Sequence, residues 1–247
     1  MSLNKQLVRQ HFDRHAAEYD AHTPLQAEMG EHLLALCAHL TPSRILELGC
    51  GTGRLTARIC QHWPDAELHA IDLAASMLPI ARKRVPDAQF RVADAETFEP
   101  DGHFDLVISN ATVQWFATPA ETLSRLPCSH LAFSTFAANT FCELRTCFAA
   151  AGESDRILPM PTTEHWRTLA AGIGEIQTCD VRNAQIVYPS VQEFVNTVRR
   201  SGASNAYATK PLRPSRWREV IQEYEKRYSC TDGVVATYEQ LFLLITT

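Results

Sequence analysis

The chain has no apolar run long enough to span a bilayer, and Lys5, Arg9 and Arg14 lead into no apolar signal core. That argues against a membrane-spanning or secreted protein and makes a cytoplasmic one the expectation. C-x-x-C pairs are missing too. The eight cysteines are scattered mostly through apolar stretches, so buried reduced thiols are expected rather than a disulfide framework or a zinc site. His11 and His15 are spaced as two ligands on one helix face would be, but no third ligand stands near them and no metal is expected. Positive charge is in deficit, with 23 Lys and Arg against 28 Asp and Glu for a net −5. A general nucleic-acid binder presents the opposite balance. Internal repeats and low-complexity tracts are also lacking.

What the chain does contain is a strand, a tight turn and a helix in immediate succession. Ile45-Leu46-Glu47-Leu48 runs into Gly49-Cys50-Gly51-Thr52-Gly53, and a helical pattern follows over residues 54–63. Glycines suit a backbone that bends sharply and approaches a ligand closely, where a Cβ would obstruct both. A dinucleotide loop wants a third glycine where Arg54 stands. Glu47 puts a carboxylate beside the loop, which repels a pyrophosphate and attracts the cationic S-adenosylmethionine (SAM). The pattern looks like the first motif of class I SAM-dependent methyltransferases, with Glu47, Gly49, Gly51 and Gly53 at the cofactor.

Asp72 ends the next expected strand, Glu67–Asp72, and stands 21 positions after Gly51. A carboxylate about 20 residues on accepts ribose hydroxyls, which agrees with an adenosine ligand. Leu73 and Met77 are placed either to pack on the adenine or to fill the core. A helix over residues 75–85 is stopped by Pro86, and a third strand covers residues 88–92. Asp94-Ala95 follows; its acid either accepts the adenine amino group or caps a turn. Phe104–Asn110 is a buried fourth strand. Ligands lie beyond the carboxyl ends of such strands, which places Asn110, Gln114 and Trp115 at the mouth of the site as positioning groups.

Residues 130–136, 176–188 and 238–246 complete seven strands, with helices over 140–149 and 163–171. The alternation predicts a doubly wound, Rossmann-like α/β sheet, mostly parallel with its last strand antiparallel. Four regions are expected within one domain. Residues 1–40 form a helical cap, 41–188 the α/β core, 189–231 a helical insert and 232–247 the final strand. Tyr19 in the cap is either a half-buried aromatic or part of a lid pointing into the site. The insert carries eight Lys and Arg against three Glu between Arg199 and Arg227, a local +5. That is either a solvated helical face or a surface for an acidic partner.

Several motifs together resemble one family along the whole chain. Phe12, Arg14, Ala16 and Tyr19 give F-x-R-x-A-x-x-Y, and Phe104 to Trp115 gives F-D-L-V-x-S-N-x-x-x-Q-W. Ser134-Thr135-Phe136, Phe141 to Arg145 and Gly202-Ala203-Ser204-Asn205 supply the rest. The chain resembles the malonyl-acyl-carrier-protein O-methyltransferases of biotin synthesis. Trans-aconitate methyltransferases share the loop and the Q-W pair and are the nearest alternative; a non-catalytic SAM-binding protein on the same fold is another. Leu126 to His130 departs from the family's usual K-P-G-G-type turn, which alters a surface turn. A nucleic-acid aminomethylase is disfavoured because Ala111-Thr112 follows Asn110 where N/D-P-P-Y would stand.

The resemblance implies SAM as cofactor and, as substrate and partner, a malonyl thioester on acyl carrier protein or coenzyme A. A carboxylate with a pKa near 4 is ionised at pH 7, so its oxygen attacks a methyl group without a general base. Alignment and removal of water would be the work of Tyr19, Asn110, Gln114 and Trp115. Arg199 or Arg200 is expected to bind the substrate carboxylate. On the cofactor side the expected contacts are Tyr19, Asp72, Leu73, Met77, Asp94, Ala95 and Asn110, with Glu47 and the three loop glycines.

Overall fold

The computed structural model describes residues 3–153, 156–157, 159–203 and 212–247. Its strands are β1 (Arg44–Leu48), β2 (Glu67–Asp72), β3 (Gln89–Val92), β4 (Phe104–Asn110), β5 (Cys128–Phe136), β6 (Glu175–Tyr188), β7 (Ser229–Cys230) and β8 (Gly233–Thr246). They form one sheet in the order β3-β2-β1-β4-β5-β8-β6. The first five strands are parallel, and β8 runs antiparallel between β5 and β6. The two-residue β7 folds back on the start of β8 and is an eighth strand beyond the seven expected. Strand order reverses between β1 and β4, so the crevice at their carboxyl ends is where a ligand fits.

Both faces of the sheet are covered, which is why β1 and β4 read as nearly continuous apolar runs. Ile45, Leu106, Ile108 and Phe242 face one core, and Leu46, Leu48, Val107 and Leu241 face the other. The first core is closed by α3 (Pro24–Leu36), α4 (Arg54–His62), α7 (Cys142–Ala150), α9 (Val191–Arg200) and α10 (Pro214–Tyr228). The second is closed by α6 (Pro119–Ser124) and α8 (Thr163–Ala171), whose Leu123 and Trp166 are fully buried. The remaining helices are α1 (Lys5–His15), α2 (Tyr19–His22) and α5 (Leu78–Arg84). Insert residues Val191, Phe194, Val220 and Tyr224 are buried in the first core, so the insert shares its packing with the sheet.

Among the described residues the cap, expected as helical with a break near Thr23-Pro24, comprises α1, α2 and α3. The Asn4 side chain caps α1 by accepting the Leu7 N–H at 3.1 Å. Thr23 breaks the chain after α2, its hydroxyl donating to the Tyr19 carbonyl at 2.7 Å, and Pro24 opens α3 at a position where its missing N–H costs nothing. Among the described residues no helix is long and apolar enough to cross a membrane.

Candidate active site

The three loop glycines all have positive φ, +72° at Gly49, +53° at Gly51 and +79° at Gly53, but for different reasons. A Cβ on Gly49 would fall 2.2 Å from the Thr112 hydroxyl. One on Gly53 would lie 3.0 Å from the Ala81 Cα, so this glycine lets α4 pack against α5. A Cβ on Gly51 would meet nothing nearer than the Tyr19 ring at 3.9 Å. Gly51 therefore presents the open side of the loop. Gly53, expected at the cofactor, lines none of the surrounding cavities; its place is the helix contact.

Three cavities converge here, and Tyr19 lines all of them. The smallest, about 90 Å³, lies between Gly51, Asp72, Leu73, Met77 and Ala95. Asp72 accepts the Gly51 N–H at 2.7 Å and the Ala74 N–H at 2.8 Å, one on each carboxylate oxygen. Each oxygen keeps a further lone pair for a ligand hydroxyl. Burial raises the Asp72 pKa to about 6 against those two bonds. Asp94 also lines this cavity, but its carboxylate is held by Lys5 of α1 at 2.5 Å and by the Glu96 N–H at 2.9 Å. The Glu96 bond is the turn-capping role of the two the sequence left open. Lys5 reaches Glu96 as well, which ties α1 to the loop after β3.

A second cavity of about 370 Å³ lies on the other side of the loop, between Gly49, Gly51, Glu47, Gly30 and Asn110. Glu47 is buried and accepts the Thr56 hydroxyl at 2.6 Å. Burial raises its pKa to about 7; the Thr56 bond opposes the shift and the Asp72 charge adds to it. Burial and the charge of Asp72 also raise the pKa of the Tyr19 phenol, which therefore stays protonated. These residues fit SAM. Gly51 leaves a gap that a Cβ would fill, Asp72 offers acceptor lone pairs beside an apolar wall, and the Glu47 carboxylate suits a cationic tail.

The third cavity, about 450 Å³, has a mostly aromatic and aliphatic wall. Gln114, Trp115 and Arg199 line it as expected, while Asn110 lines the two cofactor-side cavities. Both amides are engaged. Asn110 donates to the Gln26 carbonyl at 2.8 Å and accepts the Ser134 hydroxyl at 2.6 Å. Gln114 donates to the Ala111 carbonyl at 2.7 Å and accepts the Thr135 hydroxyl at 3.0 Å. Trp115 meets Phe12 of α1 edge to face, with ring centroids 5.7 Å apart. Ala111 (φ +49°) and Phe141 (φ +59°) both line the cavity in the left-handed region, a conformation that costs a non-glycine residue about 1–2 kcal/mol.

Arg200 is a correction to the sequence reading. Both Arg199 and Arg200 are exposed, but Arg200 lines none of the three cavities, because successive helix residues point about 100° apart and only Arg199 reaches the cavity wall. The sequence reading missed His22, Arg156, Tyr188 and Tyr238, all on the wall. His22 stands 3.8 Å from Glu18, and Arg156 pairs with Glu153 at 2.7 Å. Tyr188 and Tyr238 stand at the end and the start of two expected strands, and nothing in the sequence showed that they meet. The Gly202 turn does approach the site, since a Cβ there would fall 2.6 Å from the Phe12 ring. Ser204, Asn205 and Lys210 lie outside the described residues.

Residues 45–127 match the family described as Methyltransferase domain. A malonyl-acyl-carrier-protein O-methyltransferase of Anoxybacillus flavithermus is 36% identical over 99% of this chain and 98% of its own length. One from Halalkalibacterium halodurans is 33% identical over 99% of each. Among solved structures, the YcgJ protein of Bacillus subtilis superposes with a TM-score of 0.59 at 14% identity, covering 88% of this chain and 98% of that one. The plantazolicin methyltransferase BpumL, in complex with SAH, gives 0.54 at 17% identity over 96% and 93%. These two likenesses show the fold, and the near full-length relatives show the family. The chain belongs to the malonyl-acyl-carrier-protein O-methyltransferases, SAM-dependent enzymes of the class I fold.

Proposed function

We propose that the protein esterifies the free carboxylate of a malonyl thioester carried on acyl carrier protein, with SAM as methyl donor, an early step of biotin synthesis. The observation that carries this reading is the meeting of a cofactor crevice and a large apolar cavity at Tyr19 and Trp115. When bound, SAM supplies an electrophilic methyl group on a sulfonium. The residues of the chain do the rest by placement. Asp72 and the Gly51 backbone hold the adenosine end, and Glu47 faces the cationic end. Trp115, Phe12 and Tyr19 close the junction to water, so that a carboxylate oxygen meets the methyl group in a poorly solvated space. Gln114 and Arg199 line the acyl side, where a neutral donor and a guanidinium orient the carboxylate.

The carboxylate is already ionised, so no proton needs removing, and the protonated Tyr19 acts as a donor rather than a base. A tricarboxylate such as trans-aconitate is a poor match for a wall dominated by Phe136, Phe141, Phe148 and Phe194. Incubation with methyl-labelled SAM tests the reading. Label is expected in malonyl carrier protein and absent from trans-aconitate. Label in trans-aconitate alone would replace this substrate, and label in neither would point to a non-catalytic SAM binder.

A further inference from the structure

The large cavity exceeds what a three-carbon acyl group occupies. Its volume of about 450 Å³ equals that of roughly fifteen waters at about 30 Å³ each. Within its apolar wall stand two phenols, Tyr188 on β6 and Tyr238 on β8, with their hydroxyl oxygens 2.7 Å apart. Tyr188 is paired in register with Val234 and Tyr238 with Ala184, so the two stand four rows apart on one face and lean toward each other. Ring contacts fix them: Phe141 lies 4.9 Å from Tyr238, and Phe194 lies 5.1 Å from Tyr188.

A hydrogen bond between two hydroxyls uses one of their two protons. The other has no acceptor among the described residues. An O–H left unpaired in an apolar wall is costly unless a ligand accepts it, and its donor strength rises when its own oxygen is already accepting a bond. Burial raises the pKa of both phenols, so both remain protonated donors.

The position of the pair narrows the acceptor. Asn110, Ser134 and Phe242 lie in one row across β4, β5 and β8. Gln114, on the acyl side, accepts the Thr135 hydroxyl, and Thr135 pairs with Leu241; Tyr238 lies three residues farther along β8, about 10 Å at roughly 3.4 Å per residue. An acyl group whose carboxylate sits at the Trp115 end is too short to bring its own carbonyl there. The flexible arm of a carrier protein or of coenzyme A is a longer chain of apolar groups interrupted by secondary amides, and each amide carbonyl is an acceptor.

We propose that the large cavity is the channel for this pantetheine-type arm and that the Tyr188–Tyr238 pair donates a hydrogen bond to one of its amide carbonyls. This rests on the thioester substrate proposed above. It makes the pair a specificity determinant for the carrier arm, distinct from the groups that hold the carboxylate.

The test compares wild type with Tyr188→Phe, Tyr238→Phe and the double variant on three substrates: malonyl carrier protein, malonyl-coenzyme A and the malonyl methyl thioester, which has no amide. The double variant is expected to lose about 3- to 10-fold in kcat/KM on both arm-bearing substrates, the range of one hydrogen bond. It should keep wild-type turnover of the methyl thioester and wild-type SAM affinity by calorimetry. Equal loss on all three substrates, or loss on none, would overturn the proposal. A wild type that methylates none of the three would refute the substrate reading itself, and this inference with it.

Discussion

Asp72 and Glu47 are two acids that the fold keeps from ionising fully in the free protein, with pKa values raised to about 6 and about 7. Each lines a cofactor-side cavity, and a bound cation restores the ionised form that burial disfavours. The sign follows from linkage. Glu47 is largely protonated at pH 6 and largely ionised at pH 8, so binding the cation releases a proton and gains affinity as pH rises through this window. SAM is expected to bind about tenfold more tightly at pH 8 than at pH 6, and Glu47→Gln should flatten most of that slope. Titration calorimetry in buffers of different ionisation enthalpy measures both affinity and proton release; a pH-independent affinity in wild type would refute the assignment. The same shift acts on folding. Between about pH 4.5 and 7 the folded chain keeps a proton that the unfolded chain has lost, so this group lowers stability as pH rises. Residue spacing made Asp72 legible, because the distance from Gly51 follows from the length of one helix and one strand. It could not reveal that both carboxylate oxygens already hold backbone N–H groups, since that depends on loop geometry.

At the scale of elements, the four-residue α2 is held on the glycine loop by a charged clasp. Asp20 accepts the Thr52 hydroxyl at 2.6 Å and the Arg84 guanidinium at 2.5 Å. Arg54 donates to the Asp20 carbonyl at 2.5 Å and to the Thr23 carbonyl at 3.2 Å. Burial opposes the Asp20 charge, but these bonds and the two guanidiniums outweigh it and hold its pKa below the ordinary carboxylate range. The clasp places Tyr19, the neighbour of Asp20, over Gly51. Asp20→Ala should weaken SAM binding several-fold and lower the Tm by a few degrees, for a loss of about 1.5–3 kcal/mol of charge-assisted bonding. Asp20→Asn, which retains an acceptor for Thr52, should fall between. Wild-type SAM affinity in Asp20→Ala would separate the clasp from the site. Arg54 was legible only as the residue that rules out a dinucleotide loop; its partners lie more than thirty residues earlier, where no periodicity points. The helix α8, capped by Thr162, agrees residue for residue with the sequence reading. The six-residue α6 was missed because so short a helix carries under two turns of pattern.

Charge at the scale of the whole molecule sets a problem for a partner that is itself acidic. The chain carries −5, yet Arg199, Arg200, Arg213, Arg216 and Arg218 gather on α9 and at the start of α10. Trp217, between the exposed Arg216 and Arg218 in sequence, lines the large cavity, and so does Arg199, so positive charge lies beside it. Arg216 pairs with Glu219 at 2.6 Å, but an exposed pair of this kind is weak and yields readily to a partner's carboxylates. The insert was legible as a basic stretch, for which a solvated face was the default reading; the place of Arg199 and Trp217 on the cavity wall is what favours docking. Exposed charges act mainly on encounter rate and lose their effect as salt rises past about 0.1 M, where the screening length is roughly 10 Å. Reversing Arg213, Arg216 and Arg218 to Glu should therefore raise the KM for malonyl carrier protein roughly fivefold or more at low salt, and the difference should shrink at high salt. Turnover of malonyl-coenzyme A, which has the arm but not the carrier surface, should change little. The tyrosine pair makes the opposite prediction, equal losses on both substrates, so the two sets of variants separate recognition of the carrier from recognition of its arm. Equal losses from the arginine reversals would assign them to folding or to the cavity itself, and no loss on either substrate would remove them from the docking face.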